Sequence, residues 1–147
     1  MKNPGSTIQV LLTDDDADNL MIFEEAIKEV SLPVQLSSVE NGKDLLTLLA
    51  GNYSPNFIFL DVNMPGKSGK DCLREIKSNP LFHDIAVIMY STSSNKDDIE
   101  SCYKQGANLY VIKPHLFTDI VKMLEKILSI DWQKLSTRSK EEFVLAD

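Results

Sequence analysis

The chain has 147 residues, of which 43% are hydrophobic and 25% are charged, a size and composition typical of one soluble globular domain. Its formal net charge of −7 disfavours binding to nucleic acid, which requires lysine and arginine side chains to displace the counterions of phosphates. No apolar run reaches the roughly 20 residues of a membrane-spanning helix, and Met1 to Thr7 lack the apolar core of a signal peptide. We therefore expect a cytoplasmic protein that binds neither nucleic acid nor a membrane.

Apolar runs typical of buried strands alternate with helical patterns along the chain. Five strands are predicted, at 8–13, 34–39, 57–61, 86–91 and 109–112. Helices are predicted at 17–31, 42–50, 68–78, 95–105 and 115–130. Strands that alternate with helices form parallel sheets, and the right-handed crossovers place helices on both faces. The predicted fold is therefore α/β, a doubly wound five-stranded parallel sheet with five flanking helices.

Polar side chains mark the starts of two of these helices. Asp16 directly precedes the apolar stripe of the first helix, so we expect it to be the N-cap rather than a metal ligand. Ser94, three residues before Asp97, is expected to cap the fourth helix.

The helical pattern weakens after about Ile130. We expect one domain over residues 7–130 and a C-terminal tail over residues 131–147. The tail is either a last helical turn with a frayed end, or a short helix that docks on the domain or on a partner. About 17 residues cannot bury a core, so we expect no effector domain.

Three acidic residues and one lysine lie at the ends of predicted strands. Asp14 and Asp15 follow the first strand, Asp61 ends the third, and Lys113 follows the fifth. The first and third strands are neighbours at the switch point of such a sheet, so the three carboxylates should converge. Carboxylates at this spacing must bind a cation or have raised pKa values. Because all the ligands are oxygens, Mg²⁺ is the expected cation.

Hydroxyl groups complete a site for an anion at this edge. Ser91 and Thr92 follow the fourth strand, and the Lys113 ammonium can neutralise an anion beside the metal. Phosphoryl transfer depends mainly on positioning and on charge neutralisation. An aspartate carboxylate can itself be the nucleophile and form an acyl phosphate. The pattern therefore favours phosphoryl transfer to Asp61.

The chain resembles a response-regulator receiver domain of two-component signalling, in particular the stand-alone receivers of the chemotaxis-regulator type. The resemblance extends from residue 8 to about residue 128. Four segments carry it: Val10–Asp16, Phe59–Gly66, Val87–Thr92 and Gly106–Pro114. Each segment alone is weakly specific, but the four in this order, with matching spacings between them, are very specific. The resemblance implies a flavodoxin-like strand order of 2-1-3-4-5.

The resemblance also implies the roles of the acidic residues. Asp61 would accept a phosphoryl group from a sensor histidine kinase or a histidine phosphotransfer protein, in a Mg²⁺-dependent reaction that switches interactions with a downstream protein. Asp15 would bind Mg²⁺ directly, and Asp14 would help through a water molecule. Asn63 would offer its backbone carbonyl oxygen to the metal, which Asp61 also contacts.

Further roles follow for the residues at the fourth and fifth strands. Ser91 would donate a hydrogen bond to one phosphoryl oxygen, and Lys113 would pair with another. Tyr110 would be the switch aromatic that turns inward when the Ser91 hydroxyl moves. We expect a cis bond before Pro114, and we hypothesise that the β-branched Thr92 shields the acyl phosphate from water.

Two other classes of function are less favoured. A phosphatase with an aspartate nucleophile needs a second aspartate two residues later as acid, where this chain has Asn63. A flavin-binding electron carrier needs a phosphate-binding loop after the first strand, where Asp14–Asp16 would repel a phosphate. We expect a phosphoacceptor signalling protein and not an enzyme. A phosphate sink, a phosphorelay intermediate and a degenerate receiver that only binds partners stay as alternatives.

Overall fold

The computed structural model of the protein describes residues 7–132 and 140–145. Its strands are β1 (Ile8–Thr13), β2 (Val34–Val39), β3 (Phe57–Leu60), β4 (Ala86–Ser91), β5 (Leu109–Ile112) and β6 (Val144–Leu145). Its helices are α1 (Ala17–Glu29), α2 (Gly42–Ala50), α3 (Gly69–Ser78), α4 (Lys96–Lys104), α5 (Phe117–Leu128) and α6 (Lys140–Phe143). None of the helices in these two ranges is long and apolar enough to cross a membrane.

The strands form one parallel sheet in the order β2-β1-β3-β4-β5-β6. The predicted doubly wound sheet with the order 2-1-3-4-5 is therefore confirmed, with the five predicted helices around it. The short strand β6, which pairs with β5, is an addition that the sequence pattern did not predict. It comes from the predicted tail, of which residues 133–139 and 146–147 lie outside the described part of the chain.

The apolar strand runs are continuous because both faces of the sheet are buried. In β3, Phe57 and Phe59 point into one hydrophobic cluster, while Ile58 and Leu60 point into the other. Helices α1 and α5 cover the first face, and α2, α3 and α4 cover the second. A strand buried on both sides is held rigidly, so the residues at its carboxyl end have fixed positions.

Four helices are shorter than predicted, α1 and α4 by two residues, α3 by one and α5 by four. At the starts of α3 and α4, the residue predicted to begin the helix is its side-chain N-cap. Asp16 is the N-cap of α1, as predicted, and its carboxylate accepts from the backbone N–H groups of Asp18 and Asn19. The expected cap of α4 is wrong. Asn95, rather than Ser94, accepts from the first-turn N–H groups there. An asparagine at this position serves as well as a serine, so the choice depended on where the loop ended.

A glycine at the start of α3 fixes the backbone of Asp61. The Gly69 N–H donates to the Val62 carbonyl oxygen at 2.9 Å. A Cβ atom on Gly69 would lie 1.9 Å from the Asp61 carbonyl oxygen and 2.9 Å from the Val62 Cα atom. Since backbone atoms cannot move aside as a flexible side chain can, only glycine allows α3 to begin this close to the end of β3.

We expect Gly69→Ala to lower the free energy of unfolding by about 1–3 kcal/mol or more, as overpacking against a fixed backbone does. Gly51→Ala is the matched control, because a Cβ atom there would lie at an ordinary 3.6 Å from its nearest neighbours. Surface changes of this kind usually alter stability by less than about 0.5 kcal/mol. Urea denaturation of both variants measures the difference, and equal stabilities would contradict the close approach.

Candidate functional site

The backbone ladder of the sheet extends one residue beyond three strands and so positions the acids and the lysine. Asp14 N–H donates to the Val39 carbonyl oxygen, and Asp61 N–H donates to the Thr13 carbonyl oxygen, at 3.2 and 3.1 Å. At the other side, Lys113 N–H donates to the Ser91 carbonyl oxygen at 2.8 Å. Each of these residues is therefore aimed from a strand end, although it lies outside the strand.

Three carboxylates meet at this edge, as predicted. One oxygen from each of Asp14, Asp15 and Asp61 lies within 4.8 Å of the others. Asp14 is buried, Asp61 is nearly buried with 12% of its side chain exposed, and Asp15 is exposed. This set of hard oxygen donors, open on one side, fits a divalent cation with some of its water retained.

The Lys113 ammonium lies between two of these carboxylates. Its Nζ atom is 2.8 Å from Oδ2 of Asp14 and 3.3 Å from Oδ2 of Asp61. The same atom lies 5.3 Å from the centre of the Tyr90 ring, a favourable position for a cation. The lysine side chain is only 8% exposed, so its charge is screened little by solvent.

Burial raises the pKa of the Asp61 carboxyl above its ordinary value. The Lys113 ammonium lowers the pKa of Asp61, whereas the Asp14 carboxylate raises it further. The Asn63 N–H donates to Oδ1 of Asp61 at 3.3 Å and also lowers the pKa. Lys113 therefore favours the ionised form of a carboxyl group whose pKa burial raises. An ionised carboxylate is the form that can act as a nucleophile.

The other predicted residues surround this group at different depths. Ser91 is buried at the end of β4, whereas Thr92 and Asn63 are exposed on loops beside the acids. Tyr110 is fully buried and points inward, away from solvent. The expected cis bond before Pro114 is wrong, because the described residues contain no cis peptide bond. The backbone hydrogen bond from Lys113 to Ser91 positions the lysine without a cis bond.

A second network, which sequence reasoning missed, holds the loop after β4. The Ser93 N–H donates to Oγ of Ser91 at 3.1 Å, and the Tyr110 hydroxyl donates to the Ser93 carbonyl oxygen at 2.8 Å. Oγ of Ser93 donates to the Asp98 carboxylate at 2.8 Å, and Lys70 of α3 pairs with the same carboxylate.

Comparison with known proteins decides the family. The sequence model of the response regulator receiver domain matches residues 10–125, most of the chain. The chain belongs to this family. Receiver domains of this kind are parts of two-component systems, so the resemblance drawn from the four sequence segments is confirmed.

Two relatives of this receiver domain, Rcp1 and RcpA, are informative. Response regulator Rcp1 of Synechocystis sp. is 34% identical over 133 residues, which cover 86% of this chain and 89% of Rcp1. A crystal structure of the Mn²⁺-bound form of Rcp1 matches with a TM-score of 0.75 at 28% identity, covering 90% of this chain and 99% of that chain. A crystal structure of the phosphorylated cyanobacterial phytochrome response regulator RcpA matches with a TM-score of 0.79 at 27% identity, covering 91% and 100%.

Proposed function

We propose that Asp61 is the phosphoacceptor of this receiver domain, and that it takes the phosphoryl group from a histidine kinase or a histidine phosphotransfer protein. The observation that carries the proposal is the convergence of the Asp14, Asp15 and Asp61 carboxylates, two of which, Asp14 and Asp61, pair with the Lys113 ammonium. The description of RcpA as phosphorylated supports it from a relative of the same fold.

In the transfer, a carboxylate oxygen of Asp61 attacks the phosphorus atom of a phosphohistidine. The new O–P bond forms as the N–P bond breaks, and the imidazole nitrogen leaves with the electron pair. Asp61 must be ionised to attack, and its ion pair with Lys113 favours that form. After the attack, Lys113 pairs with a phosphoryl oxygen, since the phosphorylated carboxyl group of Asp61 no longer carries a negative charge of its own.

The Ser91 hydroxyl has the second role at the phosphoryl group. Its oxygen accepts a hydrogen bond from the Ser93 N–H, and its hydroxyl lies within hydrogen-bonding reach of the Tyr110 phenol. Donation to a phosphoryl oxygen would stabilise the acyl phosphate and draw the loop after β4 toward Asp61. Changes at this loop then alter the affinity of the domain for a downstream protein.

The metal that best fits the acidic cluster is Mg²⁺, with Asp14, Asp15, Asp61 and the Asn63 carbonyl as its protein contacts. These are oxygen ligands, and the exposed side of the cluster leaves room for water and a phosphoryl oxygen. When bound, Mg²⁺ supplies positive charge beside the transferred phosphoryl group. The existence of a Mn²⁺-bound form of the relative Rcp1 supports the binding of a divalent cation by this chain.

Incubation with Mg²⁺ and acetyl phosphate should add one phosphoryl group to the wild-type chain, as measured by intact mass. Asp61→Asn should not be modified, because an amide oxygen is a poor nucleophile. Asp84→Asn is the matched control and should be modified like the wild type. Asp84 is exposed and precedes β4, so it lies at the amino-terminal ends of the strands, away from the acidic cluster. A wild-type chain without an adduct, or an adduct on Asp61→Asn, would contradict the proposal.

Mg²⁺ should raise the melting temperature, because it binds the assembled carboxylates of the folded state. A hundredfold excess over the dissociation constant adds about 2.7 kcal/mol, and each kcal/mol corresponds to roughly 2–4 °C. Asp15→Ala should lose most of this increment, whereas Asp84→Ala should keep it. Differential scanning calorimetry in EDTA and in Mg²⁺ measures the melting temperature of each variant. If Mg²⁺ raises the melting temperature of Asp15→Ala as much as that of the wild type, Asp15 is not a metal ligand.

Thr92 is exposed just after the end of β4. If its β-branched side chain shields the acyl phosphate from water, Thr92→Ala should accelerate loss of the phosphoryl group. The effect should be several-fold, as a change of about 1.4 kcal/mol in the barrier is tenfold in rate. Thr92→Val keeps the branched shape without the hydroxyl, so it should retain the wild-type rate. The decay of the adduct by mass spectrometry decides, and an unchanged rate in Thr92→Ala refutes the shielding role.

A further inference from the structure

Residues 140–145, here called the C-terminal segment, lie along the outer edge of β5. After the short helix α6, Val144 pairs with Tyr110 and Leu145 pairs with Val111 in a parallel register. Without β6, β5 would be an edge strand with unpaired backbone groups that invite another strand. The chain therefore supplies its own occupant for this edge of the sheet.

Phe143 is the anchor of the C-terminal segment. It is 1% exposed, and its ring centre lies 5.1 Å from that of Tyr103 and 6.3 Å from that of Tyr110. Both contacts fall in the range of edge-on or tilted aromatic pairs, which prefer defined geometries. The attachment therefore depends on one aromatic side chain as well as on strand pairing.

The anchor connects with the phosphoacceptor site through Tyr110. Phe143 packs on the Tyr110 ring, while the Tyr110 hydroxyl donates to the Ser93 carbonyl oxygen. The N–H of the same Ser93 holds Oγ of Ser91. One side chain, that of Tyr110, and one loop residue, Ser93, thus separate the C-terminal segment from the Ser91 hydroxyl.

We propose that docking of the C-terminal segment on β5 and phosphorylation of Asp61 stabilise each other through Tyr110. The inference rests on the proposed function of Asp61. With Phe143 in place, Tyr110 is fully buried and its hydroxyl donates to the Ser93 carbonyl oxygen. The Ser91 hydroxyl is held between the Ser93 N–H and the Tyr110 phenol, so its position depends on that of Tyr110. Without Phe143, one side of the Tyr110 ring is exposed. Tyr110, Ser93 and Ser91 must then become ordered when the phosphoryl group binds, at a cost in conformational entropy.

The coupling must act equally in both directions. If the docked segment removes an ordering cost from phosphorylation, then a phosphoryl group that fixes Ser91 removes the same cost from docking. The size of the effect is bounded by how differently the phosphoryl group contacts the two arrangements of the loop. Couplings of this kind typically change an affinity by about 5–150-fold.

Hydrogen–deuterium exchange of the full chain tests docking, with beryllofluoride and Mg²⁺ as a stand-in for the phosphoryl group. Exchange of the peptide that contains Val144 and Leu145 should slow at least about fivefold in the wild type, and should not change in Asp61→Asn. Tyr110→Phe keeps the ring but not the hydroxyl, so the segment should stay docked and lose its response. An unchanged response in Tyr110→Phe would overturn Tyr110 as the link.

Acetyl phosphate tests the reverse direction. Phe143→Ala should lower the phosphorylated fraction at a limiting donor concentration several-fold, whereas Leu81→Ala should not. Leu81 is the matched control because it is an apolar side chain that is 83% exposed and lies near the amino-terminal ends of β3 and β4, away from the C-terminal segment. An equal phosphorylated fraction in Phe143→Ala and the wild type would overturn the coupling.

The outcomes separate the two proposals. No adduct on the wild type removes the proposed function and the coupling together, whereas an adduct with unchanged exchange at the C-terminal segment removes the coupling alone. Protection that disappears on dilution, with a species of twice the mass in light scattering, would show that the segment of a second copy occupies β5. That result would overturn docking within one chain.

Discussion

The structure depends on one ammonium group placed between two carboxylates at a buried sheet edge. Asp14 and Asp61 end neighbouring strands, so the topology forces two like charges together. Lys113 comes from two strands away and contacts both. Removing either the ammonium or the carboxylates would leave a buried charge without a partner, which costs far more stability than the loss of an exposed ion pair. The ladder bond that fixes Lys113 and the close approach at Gly69 both preserve this arrangement.

The same charge balance explains why the site fits a cation and an anion in turn. Three carboxylates and one ammonium leave two negative charges, which one divalent cation balances. In the proposed transfer, a phosphoryl group would bring new negative charge to a place where the Lys113 ammonium and the bound cation face it. Burial that raises the pKa of Asp61 is tolerable only because Lys113 opposes it. The electrostatics that stabilise the edge are therefore those that group transfer needs.

The sheet and the acidic cluster could be predicted because strong local patterns determine them. A run such as Phe57–Leu60 is apolar at every position, which only a strand with two buried faces requires, and strand order then brings Asp61 to Asp14. The network at Ser93 could not be predicted, since it uses backbone groups that every residue has. The start of α4 could not be predicted to the residue, because Ser94 and Asn95 are equally good caps until the path of the loop is known.

Strand β6 escaped prediction because two residues carry no periodicity. Its position is set by its partners, the edge of β5 and the rings of Tyr103 and Tyr110, rather than by its own sequence. An element held mainly by one anchor, Phe143, opens more easily than the five-stranded core. A phosphoryl group shifts an equilibrium only as far as its differential contacts allow, a few kcal/mol at most. A weakly held segment is therefore the part of this fold that such an energy can move.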